Sequence, residues 1–467
     1  MLKDDIAFAT VAELAPEIRA GRLSPVELTE FFIDRIARYN SRYNAFEKPT
    51  PDLAREQARR AAAELKANRY RGPLHGIPYG AKDLFDTKGI ATAWGTSFLR
   101  GRIPDQNATA VQRLEDAGAV LLGKTAMVEF AGCLGYRYAN ASASGPGRNP
   151  WDADRWTGGS SSGSGATVAA GLATFALGTE TWGSILCPAA FCGLTGIRPT
   201  YGLVSRAGGM VGAYTFDKVG PLTRSVDDCR TVLAALAGPD PRDPSCTSER
   251  VPLARGSGRP LRKLRAALVP LDWSKAGEPE VRTMFETAVA TLKAMGLTVE
   301  TAELPGVPAS EVSGVLITAE ALAAFEPFLN DGRVKQLVDD MAQHQRAIAE
   351  PLTGADVMKA MRMRESIQRE MQGFFERYDV IVTPNFMSVA PAVDMDLNAA
   401  LPYGDPVGAL AAACGLPGLA LPSGFGAAKM PCGFQLVGAP YDEATLLDLG
   451  EAYQARTAHH RAHPAIA

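Results

Sequence analysis

Histidine is scarce. The chain has five in 467 residues, His75, His344, His459, His460 and His463, and three of them crowd into a polar C-terminal tail. A serine nucleophile that needs histidine as its base therefore has little to draw on. Cysteine offers no more: Cys133, Cys187, Cys192, Cys229, Cys246, Cys414 and Cys432 form no CxxC pair, which argues against a zinc site and a disulfide framework and leaves reduced core or pocket residues. Basic charge is not concentrated. With a formal net charge of -3 and no dense Lys/Arg patch, the chain offers no field for a phosphate backbone, and no nucleic acid is expected as a direct ligand. Long apolar runs are missing too. Residues 166–178 are the most apolar, are diluted by Thr and Gly, and fall short of the roughly 20 residues that cross a bilayer. The N-terminus MLKDDIAFATVAEL is acidic where an export signal is positive and then apolar. A cytoplasmic protein without a membrane span is the expectation.

What is present is an ordinary hydrophobic fraction of 46% and one unusual stretch: residues 156–197 hold a single charge, Glu180, in a chain that is 21% charged. Two small-residue knots, Gly158-Gly159-Ser160-Ser161-Ser162-Gly163 and Thr181-Trp182-Gly183-Ser184-Ile185, flank its apolar run. Upstream, Ser24-Pro25-Val26-Glu27 reads as a capping box opening a helix through about Tyr39, with Leu28, Phe32 and Ile36 on one face. A second helix is expected over 52–68. Helix over 108–117 and strand over 119–122 follow, then a Gly-rich turn region at 199–221 and a helix at 225–236. Strands at 264–269 and 298–302 bracket a helix at 278–295, so the chain alternates strand and helix. Strand texture returns at 379–384, 418–422 and 433–437, before a last helix at 443–456. We expect one domain over 1–467, with cover helices in 1–70, a catalytic core in 71–237 and a peripheral helical lobe in 309–378.

Three chemistries compete. Gly118 to Thr125 satisfies a P-loop pattern, but its first glycine follows a helix and the residues between are strand-like, which is the wrong context for a phosphate loop. Gly159-Ser160-Ser161-Ser162-Gly163 matches a G-x-S-x-G elbow with Ser161 as nucleophile and His344 as base; the elbow needs a buried strand before it, and residues 149–155 do not read as one. A lysine base is the third. If Lys82 is buried, desolvation lowers its pKa and leaves a neutral amine that accepts a proton, and the uncharged knots suit that requirement.

On these residues the chain resembles the amidase signature family, whose members hydrolyse amides and related acyl compounds through a Ser-Ser-Lys triad. The similarity covers most of the chain: Gly76-Ile77-Pro78 with Lys82-Asp83, Gly118-Ala119-Val120 to Thr125, Asn149-Pro150-Trp151, the two knots with Gly178-Thr179-Glu180 and Pro188, Gly415-Leu416-Pro417, and Gly433-Phe434-Gln435-Leu436. The resemblance implies an α/β/α layered fold with a central mixed sheet covered by helices on both faces. It implies Ser184 as the acylated nucleophile, Ser160 as the bridging serine behind a cis peptide, and Lys82 as the base. Backbone N–H groups of Thr181, Trp182, Gly183 and Ser184 would form the oxyanion hole, with Gly159 and Ser161 in support, and no metal or cofactor is involved.

The family's usual Gly-Thr-Asp-x-Gly-Gly-Ser-Ile-Arg is here Gly178-Thr179-Glu180-Thr181-Trp182-Gly183-Ser184-Ile185-Leu186, and Ser162 replaces a glycine. Trp182 keeps its N–H in place only if the position needs no positive φ. Glu180, without the arginine that Leu186 replaces, must find another partner or titrate high. Cys133 and Leu186, with Trp182, are the candidates for an apolar substrate pocket. The expectation is a serine amidohydrolase of small non-peptide amides, with esters, anilides or carbamates open, acting on a small molecule without nucleic acid or membrane and compatible with a homo-oligomer. The alternative is the glutamine-hydrolysing subunit of an amidotransferase complex, against which these departures weigh.

Overall fold

The computed structural model describes residues 4–466 apart from 249, 257–258, 350, 402–403 and 427. Residues 1–3, where the segment read for an export signal begins, lie outside them. In chain order the strands are β1 Phe46–Pro49, β2 Pro78–Lys82, β3 Val120–Thr125, β4 Arg148–Asn149, β5 Asp152–Trp156, β6 Phe175–Glu180, β7 Thr195–Arg198, β8 Lys218–Thr223, β9 Arg265–Leu268, β10 Thr298–Thr301, β11 Val380–Pro384, β12 Gly418–Phe425 and β13 Pro431–Gly438. Eleven form one mixed sheet in the order β1-β3-β2-β6-β8-β7-β12-β13-β11-β9-β10, flanked by helices. Neighbours β3, β2 and β6 run parallel, as do β11, β9 and β10; the remaining pairs are antiparallel.

Every residue of β2, β3, β6, β7 and β8 is buried. A strand covered on both faces loses the alternation that betrays a half-exposed one, and β6 begins inside the apolar run 166–178 for that reason. β8 begins inside the stretch expected to be Gly-rich turn. Residues 149–155, judged not to be a strand, in part form β5. That strand lies outside the central sheet and pairs with β4 in a two-stranded ribbon, its first four residues partly exposed.

Helix Pro25–Tyr43 buries Leu28, Phe32 and Ile36 as the spacing predicts. Its cap differs from expectation: Ser24 Oγ accepts the Val26 N–H at 3.2 Å, and Glu27 stays in solvent instead of closing a reciprocal box. On the buried side, Arg35 donates to the carbonyls of Ala170 and Gly171 at the C-terminal end of helix Ser162–Ala169, satisfying acceptors the helix leaves unpaired and opposing its dipole. No residue of that helix is exposed. Its sequence SGSGATVA lets it sit directly against the sheet. A Cβ on Gly163 would fall within the radii of Ala45 O and Ala126 N, both backbone atoms that cannot swing aside.

Overpacking of this kind costs about 1–3 kcal/mol. Gly163→Ala is expected to lower the urea midpoint accordingly, measured by equilibrium unfolding with an unchanged m-value.

Candidate active site

Because β2 and β6 are adjacent and parallel, with Ala81 opposite Leu177, their C-terminal ends deliver Lys82 and Thr179 to the same place. Lys82 is fully buried. Its Nζ donates to Ser160 Oγ at 2.8 Å, to Thr179 Oγ1 at 2.9 Å and more weakly to the Thr179 carbonyl at 3.4 Å. Burial lowers its pKa to about 7, outweighing the opposite pull of Cys133, Asp217 and Glu180. Near neutrality such an amine exists in part as a free base with a serine hydroxyl in reach.

Ser160 follows a cis peptide after Gly159. Gly159 has no room for a side chain, since a Cβ would stand 2.7 Å from the Trp156 ring. Ser161, the elbow candidate, is occupied differently: its Oγ bonds the Thr179 carbonyl and accepts the Thr179 N–H, each at 3.3 Å, and its N–H reaches the Ser184 carbonyl at 3.4 Å. It thus ties the two knots together. His344 lies on helix Asp340–Ala349 with Nδ1 against the Asp340 carbonyl, 2.8 Å away. Lys124, of the P-loop lookalike, is buried at the end of β3 against Phe85 O, Thr92 Oγ1 and Asp83.

Ser184 lines a cleft of about 920 Å³ together with Gly159, Thr181, Trp182, Gly183, Cys133 and Cys187. Among the described residues no hydrogen bond joins the Ser160 and Ser184 hydroxyls, and such contacts are often long in unliganded sites. The N–H groups of residues 181–184 likewise have no protein acceptor there. The left-handed position in this turn is Gly183, at φ 84°, and not Trp182, so the bulky residue keeps an ordinary backbone. Trp182 is 36% exposed and its Nε1 would meet a Cβ on Gly408 at 2.5 Å.

Glu180 has found another partner. Its Oε1 accepts from Arg198 Nη1 at 2.6 Å, and its Oε2 accepts the N–H groups of Ile185 and Leu186 at 2.8 and 3.0 Å. Burial pushes this carboxyl up, but Arg198, Lys218 and those bonds prevail and hold it below its ordinary value. Leu186 does not line the cleft, contrary to the pocket expectation. It is buried with Val168, Ile185, Ala189 and Leu222, because helix Leu186–Phe191 turns inward just after Ser184. Cys133 does line the cleft.

Sequence reasoning missed Thr179, Arg198, Asp217 and Lys218. Thr179 could have been suspected from its place before Glu180. The other three come from β7 and the start of β8, and only the sheet order brings them to the first knot's partner. Thr181 Oγ1 donates to Asp217 Oδ1, and Lys218 Nζ donates to Thr181 O.

Comparison with known proteins shows the family and the fold. The Amidase family model matches residues 27–447. A glutamyl-tRNA(Gln) amidotransferase subunit of Moorella thermoacetica is 36% identical, covering 99% of each chain. A chain from a vestigial protein complex that reveals the evolutionary origins of an s-triazine catabolic enzyme superposes with a TM-score of 0.87 at 30% identity, over 96% of this chain and 98% of that one. Native peptide amidase from Stenotrophomonas maltophilia gives 0.85 at 32%, over 98% of both. These relatives overturn one expectation, that of a chain whose partners are a small amide and at most its own copies, without nucleic acid: Moorella and Roseiflexus relatives of full length are subunits of a tRNA amidotransferase.

Removing Arg198 leaves Glu180 charged and buried, which costs about 3–5 kcal/mol. Arg198→Leu is expected to unfold that much more easily at pH 8. In the wild type the depressed carboxyl adds stability that is lost as pH falls through its folded pKa; in the variant, burial raises the carboxyl, so acidification relieves the orphaned charge. The gap between the two denaturation curves should therefore narrow as pH falls from the variant's raised carboxyl pKa to the depressed one of the wild type.

Proposed function

The chain belongs to the amidase family, and on that premise we propose that it is a serine amide hydrolase working as the glutamine-hydrolysing component of an amidotransferase complex. The chemistry rests on the buried contact of Lys82 Nζ with Ser160 Oγ at 2.8 Å. The assembly rests on the full-length likeness to the glutamyl-tRNA(Gln) amidotransferase relatives.

In this reading neutral Lys82 takes the Ser160 proton, Ser160 takes that of Ser184, and Ser184 Oγ attacks the side-chain carbonyl of glutamine. Thr179 holds the lysine between its carbonyl and hydroxyl, so the free lone pair points at Ser160. The negative oxygen is received by the N–H groups of residues 181–184, where one lost donor in comparable hydrolases costs about 2.7–4 kcal/mol. The relay then runs back: Ser160 protonates the leaving nitrogen, ammonia departs, and water hydrolyses the acyl-enzyme to glutamate. Ser161, bonded to both Thr179 and Ser184, fixes the distance between base and nucleophile.

A second reading changes only the acyl group. Trp182, at a position where the family usually has glycine, narrows the cleft beside Ser184, and the likeness to the s-triazine-related complex favours a different small amide handled within an assembly.

Two experiments test these readings. A fluorophosphonate is expected to form an adduct on Ser184, mapped by peptide mass spectrometry. Its rate should climb on the acid side as pH rises through about 7, and should fall about 10²- to 10⁴-fold in Lys82→Ala. An adduct on Ser161 that ignores Lys82 would sink the triad. Separately, ammonia release from glutamine should exceed that from other amides by at least about tenfold, as a site built around one substrate's polar groups discriminates. Silence toward glutamine, with turnover of another amide, selects the second reading.

A further inference from the structure

We propose that Lys218 is a positioning residue of the oxyanion hole: by donating to the Thr181 carbonyl it polarises the Thr181–Trp182 peptide and strengthens the Trp182 N–H toward the oxyanion formed at Ser184. The inference rests on the reading of Ser184 as nucleophile.

Lys218 opens β8 and is 2% exposed. Register places it opposite Glu180, one residue before Thr181, and its Nζ meets Thr181 O at 3.2 Å. Among the described residues no carboxylate lies within 4.0 Å ion-pairing distance of it. The two nearby acids are committed elsewhere. Glu180 serves Arg198 and the Ile185 and Leu186 N–H groups. Asp217 accepts from Thr181 Oγ1 at 2.5 Å and from the Gly212 and Ala213 N–H groups at 2.8 and 3.0 Å. A buried ammonium held by a carbonyl and no paired carboxylate is costly, and packing alone would be served better by an apolar side chain.

That carbonyl belongs to the same amide as the Trp182 N–H. Resonance couples the two ends, so a cation on the oxygen makes the N–H a better donor, and in a low-dielectric site the effect is not diluted by water. Asp217 anchors the side chain of the same threonine, so Thr181 is gripped at both its carbonyl and its hydroxyl, and the peptide plane cannot rotate its N–H away from the cleft that Thr181 and Trp182 line.

The two lysines then need opposite protonation states: Lys82 must be neutral and Lys218 charged. Lys218 is faced by Glu180 from β6, Arg198 from β7, its neighbour Asp217, and Arg364 from helix Gly354–Phe375. Burial and the two arginines lower its pKa to about 7 against the carboxylates. Its charge is complete below that pH and lost above it, which adds an alkaline limb.

The test is fluorophosphonate labelling of the full-length wild type, Lys218→Met and Lys218→Arg across pH 5–10. In Lys218→Met the limiting labelling rate at pH 7 should fall about tenfold, with the half-saturating probe concentration within about twofold, and the alkaline limb should vanish. Lys218→Arg keeps its charge throughout, so it should label within about threefold of wild type below pH 7, then climb through pH 7 with Lys82 to a plateau without an alkaline limb. If Lys218→Met does not fold, Lys218→Arg decides. An alkaline limb that persists in Lys218→Arg, or Lys218→Met labelling at the wild-type rate, overturns this proposal alone. Wild type lacking a Lys82-dependent adduct overturns the triad reading and removes the ground for this one.

Discussion

Everything at this site depends on keeping one lysine out of water. Lys82 sits at the end of a strand buried on both faces, with hydroxyl and carbonyl oxygens around its amine and, among the described residues, no carboxylate in hydrogen-bond contact. Desolvation disfavours the ammonium, and Ser160 and Thr179 supply hydrogen bonds that a neutral amine and a charged one can both use. The uncharged stretch that stands out in the sequence is the consequence of that demand. A carboxylate next to Lys82 would hold it protonated and idle, so the sheet places Glu180 beyond Thr179 and satisfies it from the opposite side.

The neutralisation of Glu180 shows how the site tolerates its own departures. With Leu186 in place of the family's arginine, the guanidinium comes from β7, and the carboxylate also binds the first N–H groups leading into helix Leu186–Phe191. Glu180 therefore fixes the exit of the turn that carries Ser184 while Asp217 and Lys218 fix its entrance. Between these two anchors, Gly183 takes the left-handed conformation and Trp182 does not need to. A tryptophan can then project into the cleft, with Gly408 leaving it space, without displacing the backbone donors.

Local patterns carried part of this into the sequence. The spacing in residues 25–36 marked a helix face; Lys82 was legible as a base from its neutral surroundings, Ser160 as its partner only through the family resemblance, and the two meet at 2.8 Å. The buried strands were harder to read, because β6 is covered on both faces and shows no alternation, and β8 starts with a lysine that reads as a surface charge. Arg198 and Lys218 were invisible as site residues, since their roles come from sheet neighbours and not from sequence neighbours. Leu186 was expected in the pocket as an apolar departure from the family pattern, but it opens helix Leu186–Phe191 and packs into the core. The partner expectation failed for another reason: composition reports on charge, and one component of a complex need not carry the basic surface of its assembly.

The most direct measurement is the titration of Lys82 itself, followed by the ¹³Cε signal of lysine-labelled protein and assigned by the resonance lost in Lys82→Arg. The account predicts a midpoint near pH 7, so that part of the amine is a free base near neutrality. A midpoint at the ordinary lysine value of about 10.4 would mean that Lys82 stays charged, cannot serve as the base, and leaves Ser160 and Ser184 without one.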